Sequence, residues 1–147
     1  MLPTPETPGI IIDGRAAAAE IKAVLKAHLT RYLAAAPLRL PQLAVVLAGD
    51  DPASQIYVRN KQRACEELGF KTRPVMLSAS ISQQALEQEV RACVADPEVD
   101  GVLVQLPLPA HIDQQQVIYA IDPRKDVDVF HPENVGRLTT GDPLLCP

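Results

Sequence analysis

Two stretches, LAVVLAG at residues 43–49 and GVLVQLPLP at 101–109, constrain this chain more than any other feature. An unbroken apolar run of strand length suits a strand covered on both faces, whereas a half-exposed strand alternates apolar and polar residues. A third segment, TRPVMLS at 72–78, also reads as a strand, with Pro74 best tolerated near its start. Helical patterns separate the three. DDPASQIYVRNKQRACEELG (50–69) has Asp50 or Asp51 as cap, Pro52 in the first turn and Gly69 just past the end. SQQALEQEVRACVAD is capped by Ser80 or Ser82 and turns Leu86, Val90 and Val94 inward. Strand, helix, strand, helix, strand with short connections predicts an α/β domain: three α/β/α layers on a mainly parallel sheet with right-handed crossovers.

The flanks carry less information. Residues 1–9 form a proline-rich leader and GIII a short strand; Asp13 then opens a helix to about Ala36, with Ile21, Leu25, Leu29 and Leu33 on one stripe. DQQQVIYAI gives a further short helix. DPRKDVDVFHPENVGRLTTGDPLLCP carries four prolines and little periodicity, so a long loop is expected there, functional or leading elsewhere.

Bulk composition narrows the function classes. With 147 residues and 47% hydrophobic content, the expectation is one domain with a real core. Fourteen basic and 18 acidic residues, net −4, are scattered along the chain, which argues against nucleic acid or an anionic membrane as partner and favours small molecules or proteins. Neither a secretory signal nor a membrane-length segment occurs, so a cytoplasmic protein is expected. Cys65, Cys93 and Cys146 lack metal-ligand spacing and read as reduced thiols, and His111 and His131 read as loop residues, so no metal site is expected.

The helix at 50–69 poses a specific problem. Its inward stripe collects Ser54, Tyr57, Val58, Lys61, Ala64, Cys65 and Leu68, which places an ammonium among apolar neighbours. Either the lysine stem packs there while its head reaches water, or a partly desolvated lysine with a lowered pKa relays protons in a cleft. Tyr57 is either a core aromatic or a ring offered to a planar ligand, and Ser54 by itself is a first-turn residue.

Ligands of open α/β sheets bind beyond the carboxyl ends of the strands, which would bring Ser54, Tyr57 and Lys61 together with Gln105 and the loop bearing Asp126 and Asp128. Gln105 needs partners if buried, and the prolines of LPLP make a stiff extended wall. Asp126 and Asp128 are either solvated loop charges, the reading preferred for Asp126, or a fixed carboxylate able to accept two parallel N–H bonds from an aminopyrimidine edge. No glycine-rich dinucleotide fingerprint is found.

Four segments together resemble the bifunctional methylenetetrahydrofolate dehydrogenase/methenyltetrahydrofolate cyclohydrolase (FolD) family: IIDGRAAAAEIKAVLK, GDDPASQIYVRNKQRACEELG, DGVLVQLPLPAHID and DPRKDVDVFHPENVGRLTTGDP. They run in the family's order across nearly all of the chain from Ile10 on. The resemblance implies an amino-acid dehydrogenase-like N-terminal domain over 10–147 that takes a tetrahydrofolate derivative. In such enzymes 5,10-methylenetetrahydrofolate is oxidised with NADP, or NAD in some members, and the methenyl product is hydrolysed to 10-formyltetrahydrofolate. It further implies Lys61 as the catalytic lysine, Gln105 as the group that holds it, and Tyr57 against the aminobenzoyl part of the folate. Asp128 would bind the pterin edge, with Ser54, Leu106 and Pro107 lining the site.

Two departures accompany the likeness. Val129 stands where the family pattern has glycine, which would strain the loop if that position needs positive φ. The sequence also stops at LLCP, before the Rossmann domain that carries the nicotinamide site in the family. Expected consequences are no cofactor site in this chain, no dehydrogenase activity from it alone, and a monomer where the complete enzyme is a homodimer. A non-catalytic module that binds folate weakly or serves only as an interaction partner is the competing expectation. A third, the substrate domain of an amino-acid dehydrogenase, fits YVRNK and VQLPLP poorly.

Overall fold

The computed structural model describes residues 12–35 and 39–145. The leader, Cys146 and most of the GIII segment lie outside the described residues; Ile12 is in no strand. Two units divide the chain, residues 1–38 and 39–147. In the first, α1 (Gly14–Ala35) begins where Asp13 accepts hydrogen bonds from the backbone N–H of Arg15 (2.9 Å) and Ala16 (3.1 Å), satisfying donors that a helix start leaves unpaired.

The second unit is the α/β domain. Its strands are β1 (Gln42–Ala48), β2 (Lys71–Leu77) and β3 (Gly101–Val104), in spatial order β2-β1-β3 and all parallel. Register runs from Gln42 opposite Lys71 to Ala48 opposite Leu77, and from Leu43 opposite Gly101 to Val46 opposite Val104. Successive side chains of β1 point to opposite faces, and both faces are covered. Val45 and Leu47, with Leu103, pack against Val58 of α2 (Pro52–Leu68). Ala44, Val46 and Ala48, with Val102 and Val104, pack against Leu86, Val90 and Cys93 of α3 (Gln83–Ala95) and Val117 of α4 (Gln114–Tyr119). Three layers result, and each large aliphatic side chain so enclosed contributes roughly 1.5–3 kcal/mol.

Helix punctuation follows the expected chemistry. Asp51 caps α2 by accepting from Ser54 N (2.7 Å), and Gly69 ends it in the left-handed conformation at φ 86°. Ser82 caps α3, accepting from Ala85 N (3.3 Å). Two details differ from expectation. On α3 it is Cys93 that is fully enclosed, with Val94 only half-buried beside it. The segment after Asp122 is also no continuous loop: α5 (Pro132–Thr140) occupies its centre. His131 Nδ1 caps α5 by accepting from Glu133 N (3.2 Å), Pro132 sets the first turn, and Gly141 closes it at φ 80°. Val135, Gly136, Thr139 and Thr140 are poor helix formers and hide these signals.

The two described cysteines are free and buried, and burial pushes both thiols up. No helix among the described residues is long and apolar enough to cross a membrane, and no cluster there has the ligands for a metal ion.

Candidate functional site

The site forms where the strands end. At the carboxyl end of β1 the chain turns through Gly49 at φ 107° into α2, and at that of β3 it runs into Gln105, whose N–H donates to Val46 O (2.8 Å). This places α2 beside the LPLP segment. Leu106 is half-buried, Pro107 is exposed, and the peptide between them is cis.

Lys61 lies one helical turn beyond Val58, which anchors α2 to the sheet, so its side chain reaches towards the end of β3. There Lys61 Nζ donates to Gln105 Oε1 at 3.1 Å. Gln105 is oriented by its other end, since Nε2 donates to the carbonyl of Leu106 (2.7 Å) and the oxygen is left to face the lysine. A half-buried amide with both ends engaged is a fixed dipole, and it satisfies only one of the three N–H donors of the ammonium.

Asp128 completes the constellation. Burial pushes its carboxyl up, the Lys61 ammonium pulls it back down, and the neighbouring Asp126 adds to the rise. Among the described residues no hydrogen bond holds the Asp128 carboxylate itself. A small cavity beside it is lined by Leu106, Leu108, Phe130, Asp126 and Asp128. Lys61, Gln105 and Asp128 thus bring a cation, an amide and a carboxylate together beyond the carboxyl ends of β1 and β3, while the cavity behind Asp128 has room for no more than a water molecule.

Tyr57 stands apart from the inward stripe to which its spacing assigned it, with 61% of its surface exposed. It follows directly before Val58, and one residue turns a helix by about 100°, enough to swing the ring from the sheet to the rim. As a core aromatic it is excluded; the structure provides an exposed ring on α2, one turn before Lys61. Ser54 is buried at 2% exposure in the first turn, its N–H held by Asp51.

Asp126 corrects the sequence reading outright. It is 1% exposed and accepts from Phe130 N (3.3 Å), His131 N (2.9 Å) and Asn134 Nδ2 (3.0 Å). Asn134, also fully buried, escaped notice entirely; the His-Pro-Glu start of α5 followed by Gly141 was the available signal. Val129 has φ 58°, so the position does impose the left-handed backbone that glycine tolerates best.

Comparisons with known proteins identify the family. Residues 12–128 match the family described as tetrahydrofolate dehydrogenase/cyclohydrolase, catalytic domain. The bifunctional protein FolD of Acidiphilium cryptum is 53% identical over 137 residues, 93% of this chain and 47% of that protein. Its counterpart in Oleidesulfovibrio alaskensis is 49% identical over 138 residues, 94% of this chain and 48% of its own length. Among solved structures, the FolD methylenetetrahydrofolate dehydrogenase/cyclohydrolase of Campylobacter jejuni superposes with a TM-score of 0.83 at 44% identity, covering 88% of this chain and 45% of that one. The Trypanosoma brucei methylenetetrahydrofolate dehydrogenase-cyclohydrolase, in complex with NADP cofactor and inhibitor, gives 0.85 at 38% identity, covering 90% and 45%. The chain spans about half the length of these relatives. It belongs to the tetrahydrofolate dehydrogenase/cyclohydrolase family, within that family's catalytic domain.

Proposed function

We propose that this chain is the folate-binding catalytic half of a methylenetetrahydrofolate dehydrogenase/methenyltetrahydrofolate cyclohydrolase, and that Lys61 is its proton-transfer residue. The observation that carries the reading is the Lys61–Gln105 hydrogen bond of 3.1 Å beside an Asp128 carboxyl that feels the same ammonium. Asp128 accepts hydrogen bonds from the amino-substituted edge of the pterin and fixes the ring beside Lys61. Tyr57 offers its open face to the aminobenzoyl ring, Leu106 and Pro107 line the passage beside it, and Ser54, buried at the start of α2, backs the site from beneath.

Hydrolysis of the methenyl substrate needs water to add to the carbon between N5 and N10. Its oxygen bonds to that carbon and one water proton passes to solvent; the carbon–N5 bond then breaks as a proton arrives at N5, and the remaining hydroxyl proton leaves as the formyl C=O forms. Lys61, aimed by Gln105, is the group placed to do both: its ammonium gives the proton to N5, and the amine so formed takes the hydroxyl proton. In the dehydrogenase reaction NADP supplies the hydride acceptor. These 147 residues do not fit its pyrophosphate: the turn after β1 lacks a glycine-rich fingerprint, and Asp51 occupies the start of α2 where an anion would otherwise sit. Nicotinamide-dependent oxidation is therefore not expected from these residues by themselves.

The test follows loss of methenyltetrahydrofolate by its ultraviolet absorbance. Lys61→Met lowers the enzymatic rate by about 10²-fold or more, the usual weight of a positioned proton-transfer group. A Lys61→Met protein as active as the parent would refute the assignment.

A further inference from the structure

The segment that carries Asp128 is tied down on both sides of it. Upstream, Val102 N donates to Lys125 O (2.7 Å), and Asp126 bridges to Val102 of β3. Downstream, Asp126 Oδ1 accepts from Phe130 N, and Oδ2 accepts from both His131 N and Asn134 Nδ2. Asn134 Nδ2 reaches back as well to Pro123 O (2.8 Å), while its Oδ1 is buried without a partner. One buried carboxylate and one buried amide thus clamp residues 123–134 into a closed ring of backbone. Asp128 lies inside that ring with no hydrogen bond of its own among the described residues, so the clamp acts on it by fixing the backbone from which its side chain projects towards the Lys61 charge.

We propose that Asp126 and Asn134 are positioning residues of the folate site, holding the Asp128 carboxylate at one fixed place beside Lys61. This rests on the folate reading above. Asp126 touches no ligand in this scheme; it acts through the backbone of residues 127–131. The ring also accounts for Val129: the clamp at Phe130 and His131 imposes a turn at residue 129 that a β-branched side chain would not adopt unaided.

The test uses the full chain, its Asn134→Ala and Asp126→Asn variants, and each of these combined with Asp128→Asn. Calorimetry measures affinity for an oxidation-stable reduced-folate analogue, and amide NMR measures order at residues 127–130 against β1 and α2 as internal controls. The positioning role predicts that Asn134→Ala leaves β1 and α2 unchanged, loosens 127–130, and weakens the analogue by roughly tenfold or more. It further predicts that the loss almost vanishes in the Asp128→Asn background, because both substitutions remove the same interaction. Equal loss in both backgrounds, or parental affinity in the single variants, overturns it. Should Asn134→Ala fail to fold, Asp126→Asn decides by the same criteria. If the parent chain does not bind the analogue, the folate reading has failed separately. The clamp is then judged on order alone, and residues 127–130 as rigid in the variants as in the parent overturn it.

Discussion

Lys61 and Asp128 have opposite relations to stability and function. The Asp128 carboxyl is raised chiefly by burial, so its folded pKa lies above its unfolded value and the folded state holds its proton more tightly. Stability is therefore largest below the unfolded value and falls as pH rises through the folded one. At neutral pH the charged Asp128 is a net cost to folding. Asp128→Asn is expected to raise the melting temperature at pH 7, to leave it nearly unchanged at pH 3, and to weaken folate binding. Thermal melts of parent and variant across that range check the sign, and a lower melting temperature at pH 7 would mean that the Lys61 attraction outweighs burial. Val129 balances two terms of similar size. Glycine there would relieve left-handed strain of about 1–2 kcal/mol and would forfeit burial worth about 1.5–3 kcal/mol, the side chain being 5% exposed. Val129→Gly should thus be neutral or mildly destabilising in urea denaturation; a gain above about 2 kcal/mol would show that the valine's packing contributes little. The inward ammonium of Lys61 and the amide of Gln105 at the end of an apolar strand were conspicuous in the sequence, but their pairing came from the family resemblance rather than from spacing. Asp126 was not, since sequence offers no difference between a solvated loop acid and one whose acceptors are filled by Phe130, His131 and Asn134.

Strands and helices place these residues through a few close contacts. Gly101 begins β3 where a Cβ would come within 2.6 Å of Val127 Cγ1 and 3.4 Å of Leu43 Cδ1. The absence of a side chain there lets the Asp126–Asp128 segment dock on the strand. Gly101→Ala should cost about 1–3 kcal/mol by overpacking, and because Val127 is partly exposed, Val127→Ala should recover most of it. Chemical denaturation of the single and double variants checks this, and an unrecovered loss would place the clash at Leu43 instead. On the helices, Ser82→Ala should cost about 1 kcal/mol through the lost cap of α3. Every strand from 42 to 104 and its crossover helices could be read from apolar runs and caps, because tertiary burial and local chemistry agree there. The register of α2 was right for Ser54, Val58 and Cys65 and wrong for Tyr57, since a stripe drawn from spacing alone cannot show where the sheet stops beneath the helix. α5 was missed for the converse reason: its caps are strong, but its interior of Val135, Gly136, Thr139 and Thr140 does not look helical.

The α/β unit of residues 39–145 gathers Lys61, Gln105 and Asp128 beyond the carboxyl ends of its parallel strands. Its fold agrees with relatives about twice its length, and family membership follows from residues 12–128. The central claim is that Lys61, Gln105 and Asp128 make a formed folate site within these 147 residues. Calorimetric titration of the chain with an oxidation-stable reduced-folate analogue, beside Asp128→Asn, tests it most directly. Saturable one-to-one binding by the parent that Asp128→Asn weakens by about tenfold or more, the weight of a lost charged hydrogen bond, is the predicted result. Absence of binding by the folded parent chain, or equal affinity for the two proteins, would contradict the claim.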